Sequence, residues 1–223
     1  MNEHDKELQW SDLDLRYVEL FHAITALRMY LELMEQQMPI VEAAELAALE
    51  ANRPPGNDEE QQSLHWNEVN YLEQLFDEDL FPTMRYSFVV FIHTVFETRL
   101  RAFCVGEQRR RKLPISITDL SGSAVDQANA YLTKLVGVAV GSFPEWAHLR
   151  RFQSIRDCIV HHYGYLHAND SRHVRIREFA DSSDDITIAD DDRIRLTRSF
   201  CEHHLTNIES FFERLIAAAD GIK

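Results

Sequence analysis

Glycine and proline are scarce in this sequence, which holds only seven glycines and six prolines in 223 residues. Because these two residues mark loops and turns, their scarcity predicts long helices joined by few loops. Hydrophobic residues make up 45% of the chain and charged residues 27%, as in ordinary globular proteins, which argues against a disordered chain. We therefore expect a mainly helical protein with a sizeable core.

Long apolar runs and paired cysteines are also missing. No stretch reaches 18 uninterrupted apolar residues, so no membrane span is predicted, and the acidic beginning MNEHDKELQW predicts no signal peptide. Cys104, Cys158 and Cys201 are widely spaced within apolar runs and form no metal-binding pattern. They are typical of small core residues in a reducing compartment, and a cytoplasmic location is expected.

Basic charge is scarce overall, since the formal net charge is −14, but it is unevenly distributed. Residues 1–84 hold 4 basic and 19 acidic side chains, whereas residues 85–178 hold 14 basic and 8 acidic ones. The basic part includes the runs RRRK (109–112), HLRR (148–151) and RHVRIR (172–177). Such a concentration is compatible with nucleic-acid binding or with a solvated basic surface.

Apolar spacing predicts a series of helices with one β element. Ser11 is the expected N-cap of the first helix, Pro39 is expected to kink or briefly interrupt it, and a glycine stop is expected at Gly164. Alternating residues in HVRIREF (173–179) and ITIADDDRIRL predict two or three strands, the simplest arrangement being a hairpin with ADDD at its tip. The helices are expected at residues 11–50, 63–80, 82–108, 123–136, 144–163 and 197–218, with a linker at 52–60.

The segment RDCIVHHYG (156–164) is the most informative part of the sequence. Its spacing of an arginine and a histidine five positions apart also occurs at Arg198 and His203, so the spacing alone carries no weight. The first pair differs because it ends a predicted helix, precedes Gly164 and lies among basic residues. Asp157 and His161 are helical neighbours, so their side chains are expected to share a hydrogen bond. Arg156 and His161, however, point roughly 140° apart on an ideal helix.

This segment resembles the motif of the HEPN superfamily, whose ribonuclease members carry an arginine, a polar residue, three further residues and a histidine. A long apolar helix before the motif and a short β insert with a closing helix after it are similar to the same family. The resemblance covers about residues 63–218. It implies an up-and-down helical bundle with a short β-hairpin before the last helix, formed by residues 61–223. Residues 1–60 would be an acidic helical segment with its linker.

The resemblance also implies a function, that of a metal-independent endoribonuclease without a cofactor. Arg156 would stabilise the charge of the transition state, and His161 would act as general base or acid for attack by the ribose 2′-hydroxyl. The products would carry a 2′,3′-cyclic phosphate and a 5′-hydroxyl. A homodimer with a composite active site is implied, as is a bacterial toxin or phage-defence role with an antitoxin or regulatory protein as a possible partner.

Several residues are candidates for supporting roles. Glu97 belongs to a polar stripe with His93 and Arg101, and it either bonds Arg156 or a nearby histidine or belongs to an internal or exposed stripe without function. His162 is a candidate assistant to His161. Arg150 and Arg151 are candidates for phosphate binding, with a solvated helix face as the alternative. Histidines 148, 161, 162, 167 and 173 show no recognised metal spacing, so no metal is expected.

Two other classes of function remain open in the sequence. The first is a catalytically silent HEPN module that binds RNA, a nucleotide or a protein partner. The second is a helical interaction protein that acts through its acidic N-terminal region, which could also shield a basic cleft in the same chain.

Overall fold

The computed structural model describes residues 15–56 and 58–221, and it is mainly helical with one antiparallel hairpin just before the last helix. The predicted fold class is therefore confirmed at this level. The helices are α1 (Leu15–Ala51), α2 (Glu59–Gln74), α3 (Phe81–Arg111), α4 (Ala124–Tyr131), α5 (Pro144–His162), α6 (Ser171–Ala180) and α7 (Arg198–Asp220), and the strands are β1 (Ile186–Ile188) and β2 (Ile194–Leu196).

The chain folds into two compact units. The first unit takes in the described residues up to Leu27 together with 92–153 and 204–221, and the second takes in 28–56, 58–91 and 154–203. Helices α1, α3, α5 and α7 each contribute residues to both units. The predicted division into residues 1–60 and 61–223 stays a prediction. No helix in the described part of the chain is long and apolar enough to cross a membrane.

Helix α1 is continuous from Leu15 to Ala51 and includes Pro39, so the predicted interruption does not occur. The predicted cap Ser11 lies outside the described residues. Leu20, Ile24 and Leu27 are buried at the spacing of one helical face. The start of the first helix therefore contributes a stripe of apolar side chains to the core of its unit.

The predicted break before Pro82 is wrong, because α2 and α3 are joined by a π-helical turn over residues 75–80. Proline has no N–H, so the carbonyl of Glu78, four residues earlier, lacks its helical donor. Two arginines of the hairpin region supply donors instead: Arg193 at 2.6 Å and Arg195 at 2.7 Å. The wider turn and these two guanidinium groups explain how a proline is accommodated inside a continuous helix.

The predicted strand at residues 173–179 is also wrong, since this segment forms helix α6. The Asp170 side chain accepts a hydrogen bond from the backbone N–H of Arg172 and so caps the helix. His173 and Ile176 are buried at a spacing of three residues, which suits a helix and not a strand. The N-cap and this buried face outweigh the alternation that suggested a strand.

The predicted hairpin at ITIADDDRIRL is confirmed. Ile186 pairs with Leu196 and Ile188 with Ile194, and Asp192 at the tip adopts a positive φ of 67°. The Thr197 hydroxyl then accepts a hydrogen bond from the N–H of Phe200, as expected of the cap of the last helix. The three cysteines are buried and free, which confirms them as core residues.

Candidate functional site

Helix α5 ends sharply at the motif. The N–H of Tyr163 bonds to the carbonyl of Ile159, and the N–H of Gly164 bonds to that of Cys158. Gly164 has a φ of +82°, and a Cβ added there would lie 2.2 Å from the hydroxyl oxygen of Tyr86. Only glycine fits this combination of backbone angle and close approach, so the predicted glycine stop is confirmed with a steric reason.

Arg156 and Asp157 form an ion pair with each other. Nη1 of Arg156 donates to Oδ1 of Asp157 at 2.9 Å, and both side chains are partly buried. The hydrogen bond predicted between Asp157 and His161 is not made between these described residues, because the neighbouring guanidinium takes the carboxylate. Nε of Arg156 is buried without a hydrogen-bond partner. His161 is exposed at the end of the helix.

A small cleft of about 80 Å³ opens beside the end of α5. It brings together three predicted residues, Asp157, His161 and His162, whereas Arg156 is not among the side chains that line it. The remaining lining residues are Ser154, Cys158, Arg172 and His173. Burial raises the pKa of the Cys158 thiol to about 11, so this side chain stays a neutral thiol and donates to the carbonyl of Tyr165.

Helix α6 supplies two further residues of the cleft, Arg172 and His173, and neither was predicted as a site residue. Arg172 donates to both carboxylate oxygens of Asp170, and these bonds hold the pKa of Asp170 well below its usual range. Burial lowers the pKa of His173, against the opposing effect of the Asp170 carboxylate. The signal in the sequence was an N-cap aspartate three residues before a histidine.

Three imidazole rings pack together at the same place. The ring centroids of His162 lie 4.9 Å from those of both His167 and His173, and the last two are 5.5 Å apart. The backbone N–H of His167 donates to Nδ1 of His173 at 2.8 Å. Ligand atoms of His162, Asp170 and His173 all lie within 4.8 Å of one another. We call His162, His167, Asp170 and His173 the cleft histidine group.

Glu97 lies in the first unit, whereas Arg156 lies in the second. Oε1 of Glu97 is 3.2 Å from Nε2 of His93, a close approach whose angle does not make a hydrogen bond. This contact within α3 fits the reading of the stripe as an internal pair. The pairing of Glu97 with Arg156 stays a prediction.

Many of the basic side chains are matched by acidic groups or carbonyls of the same chain. Arg150 donates to Asp126 at 2.8 Å and to Gln153, while Arg151 is exposed. In the run RRRK, Arg110 and Arg111 each donate to the fully buried Glu107 and to the carbonyl of Ala219. These contacts join the ends of α3 and α7, so part of the basic character of residues 85–178 is structural.

A second group of histidines lies in the core of the first unit and was not predicted as a group. His93 and His204 are almost completely buried, and neither ring nitrogen of either residue has a hydrogen-bond partner. The His204 ring lies parallel to that of Phe152 and stacks against His148. Burial lowers the pKa of His204 well below its ordinary value, with His148 and His93 adding to the effect. We call His93, His148 and His204 the core histidine group.

Comparison of the chain with protein-family models, with curated proteins and with solved structures finds no match.

Proposed function

We propose that the protein is an endoribonuclease of the HEPN type, and that the cleft at the end of α5 is its active site. The observation that carries the proposal is the exposed His161 in one cleft with Asp157 and Arg172. The exposed imidazole of His161 can accept or donate a proton, and it lies in the same cleft as the Arg172 guanidinium, which can bind phosphate. This arrangement suits cleavage of a phosphodiester.

In the proposed reaction, His161 takes the proton from a ribose 2′-hydroxyl. The oxygen attacks the adjacent phosphorus, and the bond from phosphorus to the 5′-oxygen breaks. A second acid, for which His162 is the candidate, returns a proton to the departing 5′-oxygen. The products are a 2′,3′-cyclic phosphate and a 5′-hydroxyl, and Arg156 stabilises the negative charge that builds up on the phosphate oxygens.

The positions of Arg156 and His161 favour a composite active site in a homodimer. Both residues lie on the regular helix α5, where they point roughly 140° apart. One copy therefore does not direct both side chains at a single phosphate, whereas two facing copies can combine Arg156 of one with His161 of the other. Three large side chains around the motif are well exposed, as expected of an association surface: Val160, Tyr163 and Tyr165.

A toxin or defence effector restrained by an antitoxin or another regulatory protein is the biological role that goes with this proposal. It rests on the resemblance of the motif alone.

A second candidate function is a catalytically silent module that binds RNA, a nucleotide or a protein. The ion pairs of Arg156 with Asp157 and of Arg172 with Asp170 favour this alternative, because both guanidinium groups already have a carboxylate partner. A catalytic arginine would have to exchange that partner for the phosphate of the substrate.

The test is incubation of the purified protein with varied RNAs in the presence of EDTA. We expect cleavage that leaves 5′-hydroxyl ends, identified by end labelling, and no cleavage at a site carrying a 2′-deoxyribose. Arg156→Ala and His161→Ala are each expected to lower the rate at least about a hundredfold, a typical contribution of a general acid or base or of a transition-state donor.

The second arginine and histidine with the same spacing, Arg198 and His203, provide a matched control. Arg198 is bonded to Glu202 and His203 to Asp185, so Arg198→Ala and His203→Ala should leave the rate unchanged. Circular dichroism and thermal melting show whether each variant is folded. Full activity in the folded Arg156→Ala and His161→Ala variants would refute the site. RNA binding without any cleavage would favour the silent module instead.

A further inference from the structure

We infer that the cleft histidine group is a binding site for a divalent transition-metal ion of the zinc type, with His162, Asp170 and His173 as ligands. One ligand atom from each of these residues lies within 4.8 Å of the other two. Nitrogen atoms of imidazoles and an oxygen of a carboxylate are the donors that zinc and its neighbours in the periodic table prefer. Three protein ligands leave a fourth tetrahedral position for water.

The site is built from two helix ends and a short loop. His162 is the last residue of α5, Asp170 is the N-cap of α6, and His173 lies in the first turn of α6. Ligand atoms around a tetrahedral zinc ion are about 3.3 Å apart, as follows from bond lengths near 2.0 Å. Binding therefore requires a contraction of at most about 1.5 Å, which side-chain rotations around the loop can supply.

The surroundings favour nitrogen and oxygen ligands over sulfur. Cys158 lines the same cleft, but its thiol donates to the carbonyl of Tyr165 and lies in the protein interior. His167 adds a third imidazole, whose ring packs against both ligand histidines. Three imidazoles of one short segment therefore meet beside the Asp170 carboxylate.

Two existing contacts must change when the ion binds, and both make the proposal testable. Nδ1 of His173 accepts the N–H of His167, and a neutral ring offers only one lone pair, so ligation by His173 opens this hydrogen bond. The Arg172 guanidinium, bonded to Asp170, would be repelled by the ion. Removal of this positive charge, which is not a ligand, should therefore strengthen binding.

The experiment is titration of the chelator-stripped full chain with Zn²⁺ by calorimetry, and with Co²⁺ by visible absorption. We expect one tight equivalent that also raises the melting temperature, because the ion binds the folded state. His162→Ala should weaken binding by about tenfold or more, as should Asp170→Asn, which retains a helix cap. Arg172→Ala should tighten binding about threefold or more.

The matched control is His22→Ala, which removes an exposed imidazole from the other compact unit and should leave the affinity unchanged. Absence of zinc binding by the folded wild-type protein would overturn the inference, as would full affinity in both His162→Ala and Asp170→Asn. Weaker binding by Arg172→Ala would overturn the assignment of Asp170 as a ligand. His162 is also the candidate acid of the proposed cleavage, and EDTA in the cleavage assay keeps the ion away from it, so each proposal can fail alone.

Discussion

The two histidine groups of this protein are made of the same side chain in opposite surroundings. The cleft group lies in the second unit beside a carboxylate, and its His173 accepts a backbone hydrogen bond. The core group lies in the first unit among aromatic rings, and its His204 is completely buried with neither nitrogen bonded. The role of a histidine in this protein is therefore decided by its neighbours.

Each set of neighbours selects a different property of the imidazole. A carboxylate and an open cleft favour a ring that binds an ion, although burial lowers the pKa of His173. An apolar core opposes the charged form of the ring and leaves only its shape and its stacking. We therefore expect the core group to stabilise the fold by packing and the cleft group to bind an ion.

The largest effect on the free energy of unfolding is expected at Phe152, whose ring packs against the rings of His204 and His93. Phe152→Ala removes a buried ring from the core group and should lower the free energy of unfolding by about 3–5 kcal/mol. His167→Ala, in the exposed part of the cleft group, should change it by less than about 0.5 kcal/mol. Urea denaturation measures both, and similar losses in the two variants would break the comparison.

Only part of the site could be predicted from the sequence. The end of α5 and its stop at Gly164 followed from apolar spacing and from the conformational freedom of glycine, which are local properties. Helix α6 was not predicted because Val174 and Ile176 alternate with polar residues as in a strand. The N-cap at Asp170 favours a helix over that alternation. The resulting approach of His173 to His162 depends on that helix, so it could not be predicted either.

The partners of charged side chains were the least predictable feature. Asp157 was expected to bond His161, one helical turn away, but the adjacent Arg156 reaches it first. Likewise, RRRK was interpreted as part of a basic surface, although two of its arginines meet the buried Glu107. In both cases the bonded partner is a neighbour on the same helix, and spacing alone does not say which of several such neighbours forms the bond.

The next largest effect is expected at Gly164, which follows the end of α5 two residues after His162 of the cleft group. Gly164→Ala places a methyl group against the Tyr86 hydroxyl at a positive φ, and it should cost about 2–4 kcal/mol of the free energy of unfolding. Gly106→Ala is the matched control, because a Cβ there meets nothing within 4 Å and the residue lies inside α3. The control should be stabilising by about 0.5–1 kcal/mol, and an equal gain at Gly164 would contradict the steric argument.

The smallest effect is a dependence of stability on pH that comes from the core group. The pKa of His204 is lowered in the folded protein, whereas an unfolded histidine titrates near pH 6.5. Below that pH the unfolded chain therefore binds one proton more than the folded chain. Stability should be independent of this group above about pH 6.5 and should fall by about 1.4 kcal/mol per unit as the pH decreases further, until the folded pKa is reached.

The variant His204→Leu tests this prediction against the cleft group. Its free energy of unfolding, measured by urea denaturation between pH 8 and pH 5, should lose the slope of one proton. His173 contributes to the slope that remains, because its lowered pKa acts with the same sign. An unchanged slope in the folded His204→Leu variant would refute the assignment of this acid sensitivity to His204.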